Sequence, residues 1–269
     1  MDKSRILAVS MLGMNRLSKS DIDHPFDMEE YFKKYSIEWM RQVKEVEKDH
    51  STPFYELAST VDSIVKEHSL SPDNIRFVFG RGTIGRSTEK ELAEVLQKKT
   101  AEIGKDAFKV IVAKSFGVVD TLRAFQLLGT NPEGKIGRIN LLILIDGYAP
   151  LRSRKRVTEK MNVGKGKKRR LIIPEFVDKT YNLIQRTSGV TGLRAGKPGE
   201  KRVENFVIKQ DYVDSFNRVY DHYKCDYKRK LEVSHGNMEE ITSVIPCCMD
   251  SDGKMYTVTE IIKRTYAAD

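Results

Sequence analysis

A chain of 269 residues is long enough to bury a full core, and 39% hydrophobic with 32% charged residues is the balance of a soluble globular protein, not a disordered or fibrous one. No apolar run approaches the roughly 18 residues that span a bilayer. The stretch MDKSRILAVSML is interrupted and lacks a cleavage pattern, and Cys225, Cys247 and Cys248 form neither a metal spacing nor an even disulfide framework, so a reducing, cytoplasmic setting is expected.

The net charge of +9 is local. Residues 151–170, LRSRKRVTEKMNVGKGKKRR, hold ten bases and one acid, while elsewhere the two signs balance. A basic loop is therefore expected at 151–170, inserted into a fold that is not itself basic.

In chain order, RILAVSML at 5–12 reads as a first strand. Asp27 and Glu30 form a capping box ahead of apolar positions Met28 to Val46 at helical spacing, and Thr52-Pro53 opens a second helix with Leu57, Val61, Ile64 and Val65 on one face. Residues 1–70 are taken as an N-terminal extension of one strand and two helices, and 71–269 as the core. There the rhythm changes. IRFVF is a strand, TEKELAEVLQKKTAEI a helix, FKVIVA a strand, FGVVDTLRAFQLLG a helix and RINLLILI a strand. Beyond the basic loop, a helix is expected around PEFVDKTYNLIQR, then a strand VENFVI, a helix DYVDSFNRVYDHY, a short strand KLEVS and C-terminal helical segments. Strands alternating with helices predict an α/β fold, a mostly parallel sheet with helices on both faces.

Ligand sites in such sheets lie beyond the carboxyl ends of the strands. The residues falling there are Gly80-Arg81-Gly82, then Lys114-Ser115-Phe116-Gly117, then Asp146, then His235. A serine hydroxyl becomes a nucleophile when an imidazole takes its proton and a carboxylate orients that imidazole. A strand-to-helix corner lifts the hydroxyl above the sheet and leaves the following N–H free for an oxyanion. Ser115 alone would read as an ordinary helix cap, but the strand before it, Gly117 after it and His235 downstream favour the nucleophile. Of five histidines, only His235 follows a short strand and precedes glycine; His24, His50, His68 and His222 sit in helical or N-terminal contexts. Lys114 reads as solvated and the Cys247-Cys248 pair as packing.

AKSFG resembles the nucleophile elbow of the α/β-hydrolase superfamily, in particular its lipase, esterase and thioesterase branches, and the chain order Ser115, Asp146, His235 is the family's order. LILIDGYAP, VSHGNMEEI and FVFGRGTIG resemble its acid loop, histidine loop and first βα turn, over roughly residues 75–245. The resemblance implies a serine hydrolase of esters or thioesters working through an acyl-enzyme, with Ser115, Asp146 and His235 as triad, the N–H groups of Phe116 and Arg81 as oxyanion hole, Gly80, Gly82 and Gly117 as structural glycines, and no metal or organic cofactor. Asp178 is the reserve for the acid. The sequence departs from the family at Ala113 and Lys114, where glycine and histidine are usual, and in lacking most of its early strands, which leaves an inactive homologue as an alternative.

Two other readings use the same residues. GRGTIG at 80–85 matches the dinucleotide fingerprint G-x-G-x-x-G, and Lys114-Ser115 in place of an acid would suit NADP in an oxidoreductase. A hydrolase-shaped, non-catalytic interaction protein would instead work through its basic loop on anionic partners. Nucleic acid is disfavoured, since no aromatic side chain between Arg152 and Arg170 could stack on a base.

Overall fold

The computed structural model describes residues 1–12, 53–81, 88–148, 155–163, 166–187, 192–216, 233–236 and 238–268. In chain order these form β1 (Asp2–Leu12), α1 (Pro53–Glu67), β2 (Ile75–Arg81), α2 (Thr88–Ile103), β3 (Ala107–Lys114), α3 (Phe116–Leu127), α4 (Pro132–Ile136) and β4 (Ile139–Ile145). Then come β5 (Thr158–Val163), β6 (Gly166–Leu171), β7 (Val177–Gln185), β8 (Val203–Ile208), α5 (Gln210–Asp214), α6 (Met238–Val244), β9 (Cys248–Met249), β10 (Met255–Tyr256) and α7 (Val258–Ala268). Among the described residues no helix is long and apolar enough to cross a membrane.

Six strands form one sheet in the order β2-β1-β3-β4-β7-β8, every neighbouring pair parallel. Both faces are covered, which is why β3 and β4 read as near-continuous apolar runs. In β3, Phe108, Val110 and Val112 point to one face and pack with Leu57, Val61 and Ile64 of α1 and Ile261, Ile262 and Tyr266 of α7. Ile111 and Ala113 point to the other, against Leu92 and Leu96 of α2 and Val118, Leu122 and Phe125 of α3. The chain runs outward from β1 to β2, then returns past β1 to β3. The strand order thus reverses between β1 and β3, and α1 packs on one face of the sheet and α2 with α3 on the other.

Most of the expected elements fall where periodicity puts them: α2 and β8 match residue for residue, and β3, α3 and β4 to within two. Three expectations are corrected. The strand in the supposed N-terminal extension is an inner strand of the sheet, hydrogen-bonded to β2 on one side and β3 on the other. The helix expected at PEFVDKTYNLIQR is instead strand β7, between β4 and β8. Its buried polar residues Thr180, Asn182 and Gln185 erase any alternation, and distant groups answer two of them: Asn182 Nδ2 donates to Leu193 O at 2.9 Å and Asn205 Oδ1 at 2.8 Å, and Gln185 Nε2 to Asp146 Oδ2 at 3.2 Å, while Thr180 Oγ1 has no partner. The basic loop contains an antiparallel hairpin, β5–β6. The helix expected at Met28 to Val46 lies outside the described residues, as do most of KLEVS and the later part of DYVDSFNRVYDHY.

A candidate active site at the strand-order reversal

Ser115 occupies the corner between β3 and α3, beside the reversal of strand order. A serine that caps a helix has extended backbone angles and accepts a bond from an amide of the first turn. Ser115 instead has φ 52° and ψ −120°, and its side chain makes no capping bond. Three hydrogen bonds hold this conformation: its N–H donates to Ile145 O (2.9 Å), and its carbonyl accepts from Val118 N (3.3 Å) and Tyr148 N (3.2 Å). The small residues on either side, Ala113 and Gly117, are both buried. The half-buried hydroxyl is freed from the helix and lies 2.7 Å from His235 Nε2.

Asp146 follows β4 as Ser115 follows β3. The register pairs Lys114 with Ile145, so the two residues end adjacent strands side by side. Asp146 is fully buried. Its Oδ2 lies 2.5 Å from His235 Nδ1 and accepts from Gln185 Nε2 at 3.2 Å, while Oδ1 accepts from Gly192 N at 2.8 Å and Gln185 N at 3.3 Å. A carboxylate only accepts, so the imidazole proton sits on Nδ1, and Nε2 is left to accept from the Ser115 hydroxyl.

The residues around His235 are tied from several sides. Val233 N donates to Gln210 Oε1 at 2.7 Å, the Thr187 hydroxyl meets Val233 O, and Lys114 Nζ donates to Gly236 O at 3.1 Å. Gln185 links acid and base, since its Oε1 accepts from Thr187 N at 2.8 Å while its own two donors reach Asp146. The side chain of His235 is 26% exposed, enough to meet a ligand from solvent.

Five residues along the chain from Ser115, in α3, Asp120 is buried with Oδ2 unpartnered. Burial, reinforced by Glu89 and only partly offset by Arg123, pushes its carboxyl up to about 7. Arg123 is committed to Glu89, at 2.7 Å.

The structure thus brings Ser115, Asp146 and His235 together. Phe116 heads α3, so its N–H belongs to the group without an intrahelical acceptor. Gly80 and Arg81 belong to β2, and Gly82 lies outside the described residues. Because β1 separates β2 from β3, the Arg81 backbone ends two strands away, roughly 10 Å from the strand that Ser115 follows. The strand end beside β3 on that side is Leu12, so Arg81 is one strand too far to share an oxyanion site. Asp178 is at the opposite rim, at the start of β7, where it pairs with Arg138 at 2.6 Å. It cannot serve as the reserve acid. Lys114, read as solvated, braces the histidine segment.

Sequence reasoning missed Gln185, Gly192 and Thr187. Gln185 ends the strand next to Asp146's own, and reading β7 as a strand would have put it at the site. Gly192 has no such signal. A Cβ there would stand 2.7 Å from Asp146 Oδ1 and from Ile184 Cγ2, which reveals the close approach only in three dimensions.

The arrangement could move a proton from a hydroxyl to an imidazole held by a buried acid. The glycine-rich segment GRGTIG, by contrast, begins at the end of the edge strand β2, whereas a dinucleotide site belongs beside the strand-order reversal. No protein-family model matches the chain, and comparison with curated proteins finds no relative.

Proposed function

We propose that the protein is a serine hydrolase, related in plan to the α/β hydrolases, that cleaves an ester or thioester through an acyl-enzyme. The observation that carries the reading is the unbroken relay from Ser115 Oγ to His235 Nε2 at 2.7 Å and from His235 Nδ1 to Asp146 Oδ2 at 2.5 Å, on a serine held in a strained corner. Support comes also from the acid, which receives three further donors and is fixed before any substrate arrives.

In this mechanism Ser115 Oγ attacks the carbonyl carbon while its proton passes to His235 Nε2. The tetrahedral oxyanion accepts from the Phe116 N–H, and Asp146 stabilises the imidazolium. His235 returns the proton to the departing alkoxide or thiolate. Water enters, loses a proton to Nε2 and attacks the acyl-serine, and collapse of the second tetrahedral species frees the acid and restores the hydroxyl.

The test is labelling with a fluorophosphonate probe. Wild type should be labelled covalently at Ser115, Ser115→Ala not at all, and His235→Ala far more slowly. Folded wild type that resists the probe, or labelling that persists in Ser115→Ala, refutes the proposal.

A further inference from the structure

Removing the ten bases and one acid of residues 151–170 from the chain's 47 bases and 38 acids leaves 37 of each, so the whole net charge of +9 resides in this segment. In the β5–β6 hairpin, Lys160 stands directly opposite Arg169, and Met161 opposite Lys168. Like charges facing each other across strands oppose pairing. Among the described residues, no carboxylate forms an ion pair with Lys155, Arg156, Lys160, Lys168 or Arg169. The hairpin is nonetheless anchored. Val157 and Leu171 are buried in the core, Ile172 N donates to Val157 O at 3.0 Å, and Gln126 Nε2 in the last turn of α3 donates to Arg156 O at 2.9 Å.

Two exposed aliphatic side chains flank this anchor. Leu127 is 52% exposed beside Gln126, and Ile172 is 37% exposed where the hairpin rejoins the fold. The anchor sits eleven residues along α3 from Ser115, roughly 16 Å at the helical rise, so this face is separate from the catalytic corner. Exposed aliphatics flanking a hairpin with cations that have no carboxylate partner do not suit a nucleic acid, where they would meet only phosphate and where stacking rings are lacking. They do suit an anionic bilayer, whose interface takes the aliphatics while its headgroups take the cations.

We propose that the β5–β6 hairpin, with Leu127 and Ile172, is a peripheral docking face for an anionic lipid bilayer. It stands apart from the hydrolase reading, and Ser115→Ala should bind membranes as wild type does. The test is co-sedimentation of the full chain with vesicles of phosphatidylcholine alone and of phosphatidylcholine mixed with phosphatidylglycerol. Binding should be confined to the anionic vesicles and weaken with added salt. Neutralising Lys160 and Lys168 together (K160Q/K168Q) should weaken it about 25-fold, at roughly fivefold per cation near the surface. Leu127→Ser with Ile172→Ser should weaken it while leaving its salt dependence unchanged. Equal binding to both vesicle types, or binding to neither, overturns the proposal. So does indifference to either pair of substitutions, and so does stronger retention on duplex DNA or RNA than on the anionic vesicles, which would name a nucleic acid as the partner.

Discussion

Replacing Ser115 with glycine and, separately, with alanine removes the same hydroxyl, so both variants lose the bond to His235. Only glycine also relaxes the backbone. At φ 52° and ψ −120° Ser115 has the angles of the first central residue of a type II′ turn, a position glycine occupies without penalty. A non-glycine residue held in such a region costs on the order of 1–3 kcal/mol. Glycine gives back about 0.4–1 kcal/mol through the larger freedom of its unfolded chain. Ser115→Gly should therefore be more stable than Ser115→Ala by about 1–2 kcal/mol, which for a protein of this size raises the melting temperature by about 2–4 °C. Urea denaturation followed by far-ultraviolet circular dichroism, with a thermal scan, measures the difference; probe labelling should be nil in both. An alanine variant as stable as the glycine variant would show that the corner is unstrained, and would remove the physical ground for treating it as a built site.

Asp146→Asn keeps the size of the acid but turns one acceptor into a donor facing N–H groups, so probe labelling should fall on the order of 10³–10⁴-fold and stability by about 1–3 kcal/mol; labelling within tenfold of wild type would break the relay. Asp120, whose carboxyl is pushed up to about 7, holds a proton in the folded state that the unfolded chain has released, so its contribution to stability falls as pH rises from about 4 to about 7 and is level above that. Asp120→Asn should be close to neutral at pH 4 and stabilising at pH 8 by up to roughly 4 kcal/mol, and urea midpoints that shift equally at the two pH values contradict this. Gly192→Ala, whose Cβ would stand 2.7 Å from Asp146 Oδ1, should displace the loop that holds the acid, costing about 1–3 kcal/mol and slowing labelling; a melting temperature and labelling rate equal to wild type would contradict the close contact.

What the sequence discloses depends on whether the physics is local. FKVIVA and NLLILI are buried on both faces, so their apolar runs declare them as strands, and the residues after them fall at the sheet's carboxyl rim without knowledge of strand order. That is why Ser115 and Asp146 could be picked out. Arg81 failed because its relevance depends on order: only the pairing of β1 between β2 and β3 shows that β2 ends two strands away. β7 was hidden because Thr180, Asn182 and Gln185 are buried polar residues, two of them answered by Asn205, Leu193 and Asp146 from other segments, and such partners leave no trace in a window of thirteen residues. With that strand went Gln185. The basic run reads as a loop because runs of charge are commonly solvated insertions, whereas its strand form depends on the buried anchors Val157 and Leu171 at its ends.

Three described non-glycine residues have positive φ: Ser69, Ser115 and Asp146. Ser69 follows the end of α1, and its N–H donates back to Lys66 O, which is how chains commonly leave a helix. The other two end neighbouring strands, and the parallel ladder continues through them: Ser115 N–H donates to Ile145 O, and Asp146 N–H to Leu183 O. To relax either residue, the chain would have to break a sheet hydrogen bond at the centre of the fold. The corner is therefore held by the same bonds that build the sheet, which can carry a cost of a few kcal/mol without distorting. Relaxing Ser115 to a capping conformation would satisfy a helix amide and turn Oγ away from His235. The fold instead holds the hydroxyl on the imidazole, an arrangement that capping does not explain and that proton transfer requires.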